Sequence, residues 1–185
     1  MRIIGGRSRG LHLAAVGAGD AAGHLRPTSD RVREAIFNLL INGGYGDPVT
    51  GARVLDLFAG TGALGLEAIS RGADTALLVD DGTAAIALQR RNIALMRTAA
   101  ATILRRDAAQ LGAVVGAAYD LVFLDPPYGK GLGEAALVSA TAGGWLMPEA
   151  LIVWEESIPP VMPRGFALLD QRRYGDTLVT ILRAP

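Results

Sequence analysis

Cysteine is absent from all 185 residues. That excludes disulfides and thiolate metal sites and fits a reducing cytosol. His12 and His24 are the two histidines, and they lack metal-ligand spacing, so no metal is expected. The amino end, Met1-Arg2-Ile3-Ile4-Gly5-Gly6, has no apolar h-region, so a signal peptide is not expected. No apolar run approaches the roughly 18 residues of a membrane span, so no membrane partner is expected. Net charge is zero, which taken alone argues against a nucleic-acid binder. Lysine is nearly missing: of 18 basic residues only Lys130 is one. There is no internal repeat.

What is present suits one globular domain. Half of the chain is apolar and 19% is charged, enough to bury a sizeable core. The charge is uneven. Residues 1–34 hold Arg2, Arg7, Arg9, Arg26, Arg31 and Arg33 against Asp20, Asp30 and Glu34, six minus three, a local +3. Arginine makes bidentate contacts to phosphate, although a GC-rich genome also favours arginine.

Residues 1–13 alternate around glycines and read as two short strands joined by Gly5-Gly6-Arg7-Ser8-Arg9-Gly10. Residues 14–24 are small and Gly/Ala-rich, as in a linker. Residues 1–25 are taken as an amino-terminal extension and 26–185 as the main domain. Arg26-Pro27-Thr28-Ser29-Asp30 opens a helix that Thr28, Ser29 or Asp30 can cap. Val32, Ile36, Leu39 and Leu40 give it an apolar face, and Arg31 and Glu34 can pair one turn apart.

From residue 53 strands and helices alternate. Strands are expected at 53–57, 75–80, 101–104, 119–124 and 151–155, and helices at 62–71, 83–97, about 108–115 and about 132–143. This predicts an α/β fold with a doubly wound, mostly parallel sheet. Residues 166–182 hold two strands around Tyr174-Gly175-Asp176 with no helix between them, hence an antiparallel hairpin.

Two motifs carry chemistry. Gly60-x-Gly62-x-x-Gly65 follows the first strand and matches a dinucleotide fingerprint, a weak pattern alone. Asp80, ending the second strand, is placed for ribose hydroxyls in either a NAD-type or an S-adenosylmethionine-type site. Asp56 suits a nearby ammonium group and would repel a pyrophosphate, unless it is a turn acid or pairs with Arg53. Asp107 is placed to accept from an adenine amine, or else balances Arg105 and Arg106. The second motif, Asp125-Pro126-Pro127-Tyr128, ends the fourth strand. Its prolines stiffen the chain. Its carboxylate and the Pro126 carbonyl form a fixed acceptor pair beside a flat ring, which an exocyclic amine on a nucleobase would need. Trp145 and Trp154 read as core or interface residues rather than base stackers, and the pairs Glu155-Glu156 and Arg172-Arg173 as strand-end or solvated charges.

A strand ending in Asp125-Pro126-Pro127-Tyr128 after Asp56-Leu57-Phe58-Ala59-Gly60-Thr61-Gly62 resembles a class I S-adenosylmethionine-dependent amino-methyltransferase. Residues Arg2-Ile3-Ile4-Gly5-Gly6, Arg9-Gly10, Leu13, the run from Arg26-Pro27-Thr28 through Asp30 to Asn38, and Tyr174-Gly175-Asp176-Thr177 narrow this. Together they resemble the RsmD family, which methylates N2 of one guanine in 16S ribosomal RNA. The resemblance implies a Rossmann-like, seven-stranded sheet with a reversed last strand, preceded by a small β-hairpin. It implies Asp125, Pro126, Pro127 and Tyr128 as the catalytic residues at the target base. Asp56, Phe58, Ala59, Gly60, Thr61 and Gly62, with Asp80 at the ribose and Asp107 at the adenine, would hold S-adenosylmethionine and its product S-adenosylhomocysteine. Arg2, Arg7, Arg9, Arg26, Arg31 and Arg33 would contact RNA. The expected partner is 16S rRNA in an assembling or assembled 30S subunit, met by a cytoplasmic monomer. The rivals are a DNA adenine-N6 methyltransferase, a NAD-binding oxidoreductase and a non-catalytic RNA-binding module.

Overall fold

The computed structural model describes residues 1–15 and 29–185. Seven strands form one sheet in the order β3-β2-β1-β4-β5-β7-β6. They are β1 (Arg53–Leu57), β2 (Thr75–Asp80), β3 (Ala101–Arg105), β4 (Tyr119–Leu124), β5 (Leu146–Glu156), β6 (Ala167–Tyr174) and β7 (Thr177–Arg183). The first five pair in parallel. β7 runs antiparallel between β5 and β6, so the expected reversed last strand and terminal hairpin are both present. Helices α1 (Asp30–Asn42), α2 (Ala63–Ser70), α3 (Thr83–Met96) and α4 (Leu132–Ala142) accompany the sheet. Among the described residues no helix is long and apolar enough to cross a membrane.

The central strands are apolar runs because both sheet faces are covered. Val54, Leu78, Leu121, Phe123, Leu151 and Val153 face one cluster with Ile36, Phe37 and Leu66. Leu55, Leu57, Val79, Val122, Leu124 and Ile152 face the other with Ala136 and Leu137. Trp145 and Trp154 are core, as expected. A Cβ on Gly133 would lie 2.3 Å from the Trp154 ring, so α4 can rest on that ring only with glycine there. β1 connects outward to β2 on one side and pairs with β4 on the other. The carboxyl ends of β1 and β4 therefore flank the topological switch point, where open α/β sheets bind ligands.

Ser29 caps α1, its hydroxyl accepting from the Val32 N–H at 3.2 Å. Asp30 pairs with the inward-facing Arg33 one turn on, at 2.8 Å. β5 begins at Leu146, earlier than the apolar run suggests. A bulge around Pro148 and Glu149 reconciles its register with β4. The expected helix at about 108–115 is one 3-10 turn, Ala108–Gln110, capped by Asp107.

Residues 1–15 form a bracket rather than two full strands. One bridge joins Arg2 to His12, and Gly6–Ser8 make a 3-10 turn. The bracket has no core of its own: Ile3 and Leu13 are buried in the cluster that holds α1 and α2. Fully buried Glu67 of α2 accepts from the Ile4 and Gly5 N–H groups, both at 2.8 Å. Ser70 accepts from the Ser8 N–H and donates to the Gly5 carbonyl. Asn92 of α3 accepts from the Ala14 N–H at 2.7 Å and donates to its carbonyl. The rest of the expected linker, with Arg26 and Thr28, lies outside the described residues.

Candidate active site

Four acids end four adjacent strands. Asp80 ends β2, Asp56 lies in β1, Asp125 follows β4, and Glu155 is next to last in β5. Side chains alternate along a strand. Asp56 therefore shares its face with Val54, and Asp80 with Leu78. Asp125 shares its face with Phe123, and Glu155 with Val153. All four neighbours belong to one cluster. The Asp125 N–H still reaches the Leu57 carbonyl at 3.4 Å, which extends the ladder past β4. The four carboxylates thus stand in a row on one face, and all line a cavity of about 900 Å³. They do not converge: among the described residues no three acids or histidines form a group able to hold a metal ion.

The glycine loop closes one side of this cavity. Gly60 donates its N–H to Asp80 Oδ2 at 2.9 Å. The space where its Cβ would stand is open, so a ligand can approach the backbone there. Gly62 takes φ 79° and caps α2, while Phe58 holds φ 57°, unusual for an aromatic residue and typical of a constrained functional turn. Gly65 packs α2 onto the sheet, because a Cβ would lie 2.5 Å from Leu78. Two α3 side chains hold the loop carbonyls. Gln89 donates to Gly60 at 3.1 Å, and Asn92 to Thr61 at 2.9 Å.

Asp56 is 1% exposed and accepts the Gly65 N–H at 2.8 Å. Burial pushes its pKa up to about 8, against the Gly65 hydrogen bond and with the help of Asp125 and Asp80. It does not pair with Arg53. The Arg53 guanidinium reaches the Ala117 and Ala118 carbonyls and stacks on Tyr119, because residues three apart on a strand face opposite sides. Asp80 is also raised, mainly by burial, while the Gly82 and Gly60 N–H groups oppose this.

The Asp125–Tyr128 loop closes the other side. Pro126 is buried, and the Tyr128 ring stands half-exposed with its hydroxyl 3.3 Å from Thr177 Oγ1. Burial pushes the Tyr128 phenol up to about 12, so it stays protonated. Glu156 accepts from the Gly129 N–H at 3.1 Å and the Ser157 N–H at 2.8 Å, tying this loop to β5. Glu155 and Glu156 are therefore buried structural and site acids rather than solvated charges.

The chain matches the family described as conserved hypothetical protein 95 over residues 1–183. It is 39% identical over 178 residues to the ribosomal RNA small subunit methyltransferase D of Escherichia coli K12, covering 95% of this chain and 85% of that one. The chain belongs to the RsmD family. A protein of the same name from Haemophilus influenzae is 32% identical over 182 residues, covering 95% of this chain and 89% of that one. The solved Escherichia coli protein yhhF superposes with a TM-score of 0.81 at 35% identity, covering 100% of this chain and 97% of that chain. The fold expected of an RsmD protein, the Rossmann-like class I methyltransferase sheet, is the fold observed.

Most of the expected RsmD site residues meet in one place. Asp56, Phe58, Ala59, Gly60, Thr61, Asp80 and Asp125 to Tyr128 all line the cavity. Asp107 does not. Its carboxylate accepts from the Ala109 N–H at 2.8 Å and from the Gln110 amide. Arg2, Arg7, Arg9 and Arg31 are exposed. Arg33 is not available to RNA: it is fully buried, donates to the Arg2 carbonyl and Asp30, and lies 3.7 Å from Glu67. The spacing of α1 places Arg33 beside Val32 and Ile36 on the inward face.

Sequence reasoning missed Glu155, which lines the cavity, and it used Tyr174, Asp176 and Thr177 only for the hairpin turn and family likeness although they line it too. Glu155 had a signal: like Asp125, it stands at the carboxyl end of a parallel strand. Ser29 and Val32 at the start of α1 line it as well, as the basic opening of that helix allows, but which side chains reach the cavity depends on tertiary packing.

Proposed function

We propose that this chain transfers the methyl group of S-adenosylmethionine to the exocyclic N2 amine of a guanine in 16S ribosomal RNA. The observation that carries the reading is the loop Asp125–Tyr128 beside the acid-lined glycine-loop cavity. The cavity chemistry fits this cofactor and not a dinucleotide. Four carboxylates would repel a pyrophosphate but suit a ligand bearing an ammonium and a sulfonium. The open face of Gly60 gives that ligand room at the backbone. S-adenosylmethionine, when bound, supplies an electrophilic methyl carbon. Asp56 would face the ammonium group, and Gly60 with its neighbours would hold the methionine part. Asp80 would accept from the ribose hydroxyls.

The N2 lone pair of guanine is delocalised into the ring, so it is a poor nucleophile. Asp125 and the Pro126 carbonyl would accept its two hydrogens, pyramidalise the nitrogen and aim its lone pair. Positioning of this kind lowers a barrier by several kcal/mol. The nitrogen–carbon bond forms as the carbon–sulfur bond breaks, leaving S-adenosylhomocysteine. Asp125 is placed to take the amine proton. Tyr128 would stack on the base once it has left the RNA stack. Arg2, Arg7, Arg9 and Arg31, with Arg26, would contact phosphates. The names of the Escherichia coli and Haemophilus influenzae relatives support small-subunit rRNA as the substrate. The protein would act as a cytoplasmic monomer on RNA of the 30S subunit.

Mass spectrometry of 16S RNA from a strain lacking this gene tests the reading. An N2-methylguanine should disappear, return with the wild-type gene, and stay absent with Asp125→Ala. Unchanged RNA in the deletion strain overturns the proposal.

A further inference from the structure

We propose that Glu155 accepts the N1–H of the target guanine and so discriminates guanine from adenine. This rests on the reading of the cavity as a base-methylating site. Asp125 alone cannot make that choice, because adenine also offers an exocyclic amine. The two purines differ in the atom beside it. In guanine the amine neighbours N1–H, a second donor; in adenine it neighbours N1 without a proton, an acceptor. A reader of guanine needs two acceptors side by side.

The sheet supplies them. Leu124 of β4 pairs in parallel with Trp154 of β5, so Asp125 and Glu155 occupy the next level on adjacent strands. Neighbouring strands lie about 4.8 Å apart. Alternation puts both carboxylates on the Phe123 and Val153 face, and both line the cavity. Glu156, on the opposite face, is committed to Gly129 and Ser157 and does not compete for this role. Glu155 is 1% exposed, so its side chain is held in place by its surroundings. With adenine, the N1 lone pair would face a buried carboxylate, and repulsion would replace the hydrogen bond.

2-Aminopurine separates the contributions, because it keeps the C2 amine but lacks the N1 proton. The experiment uses reassembled small subunits whose 16S RNA carries guanine or 2-aminopurine at the target position. Methyl transfer is read with tritiated S-adenosylmethionine. The wild-type enzyme should favour guanine by about 100-fold or more in kcat/KM, the scale on which sites that hydrogen-bond a substrate group reject an analogue lacking it. Glu155→Gln, whose amide can donate to an unprotonated N1, should slow guanine and bring the ratio to within about tenfold. The O6 atom also differs between the bases, but equally for both enzymes, so the change in ratio isolates Glu155. A circular-dichroism spectrum and melting temperature of Glu155→Gln equal to wild type would show an intact fold. Equal wild-type rates on both bases overturn the proposal without any variant, and so does a Glu155→Gln ratio equal to wild type. A wild-type enzyme that methylates neither base instead overturns the methyltransferase reading beneath it.

Discussion

At the scale of single residues, Asp56 shows how burial sets a pH response. Its folded pKa of about 8 stands above the ordinary 3.8, so the neutral form favours the folded state. That stabilisation is full below about pH 4 and is lost as pH rises through about 8. Asp56→Asn keeps an acceptor for the Gly65 N–H but removes the ionisation. Between about pH 5 and 8.5 the wild type should lose at least ~1 kcal/mol relative to Asp56→Asn, read from denaturant midpoints across that range. A cationic ligand favours the ionised form, so S-adenosylhomocysteine affinity of the wild type should rise toward pH 8 and flatten in Asp56→Asn. Calorimetry at several pH values measures it. Gly65 is a packing residue in the same place. A Cβ there would lie 2.5 Å from Leu78 and 3.1 Å from Asp56 Oδ2. Gly65→Ala should cost about 1–3 kcal/mol of stability, seen as a lower melting temperature.

At the scale of elements, α2 joins the glycine loop to the amino-terminal bracket. It starts at Gly62, is buried along its whole length, and ends against Gly5 and Gly6. Glu67 is the junction. It accepts from Ile4, Gly5 and, at 2.7 Å, the Arg71 guanidinium, and stands beside Arg33. Glu67→Ala would leave the buried Arg33 charge without its inner partner and should destabilise the protein by about 3–5 kcal/mol, measured by urea denaturation. The same change should release the bracket and open Arg7 and Arg9 to trypsin faster than in the wild type. Asn92 of α3 performs a similar function, tying Ala14 to the Thr61 carbonyl of the glycine loop.

At the scale of the whole molecule, zero net charge conceals a separation of signs. Six acids line the cavity, Asp56, Asp80, Asp81, Asp125, Glu155 and Asp176, while Arg2, Arg7, Arg9 and Arg31 are exposed outside it. A phosphate backbone would be repelled from the cavity and attracted to the arginines, so a single base would enter while the chain stays outside. Arg7→Glu with Arg9→Glu should weaken RNA binding at least about tenfold at low salt. It should also reduce the slope of log affinity against log salt by about 0.7 per lost contact. S-adenosylhomocysteine binding should not change. Filter binding across a salt series, with calorimetry for the product, checks both.

Read along the chain alone, the residues place most of the apolar runs, a sheet that is parallel until a terminal hairpin, and the loops that carry glycine or proline. Those follow from period and turn chemistry, which are local. Asp56, Asp80 and Asp125 were legible because each stands at or near the end of an apolar run. Tertiary structure decided what depends on distant partners. Arg33 looked like one arginine among six until Glu67, 34 residues later, drew it into the core. The amino-terminal hairpin became a bracket because Glu67, Ser70 and Asn92 take its backbone hydrogen bonds in place of a longer ladder. Glu155 read as a strand-end charge, because only the β4–β5 register sets it beside Asp125. Burial and register are sums over residues far apart in the chain, and no local pattern contains them.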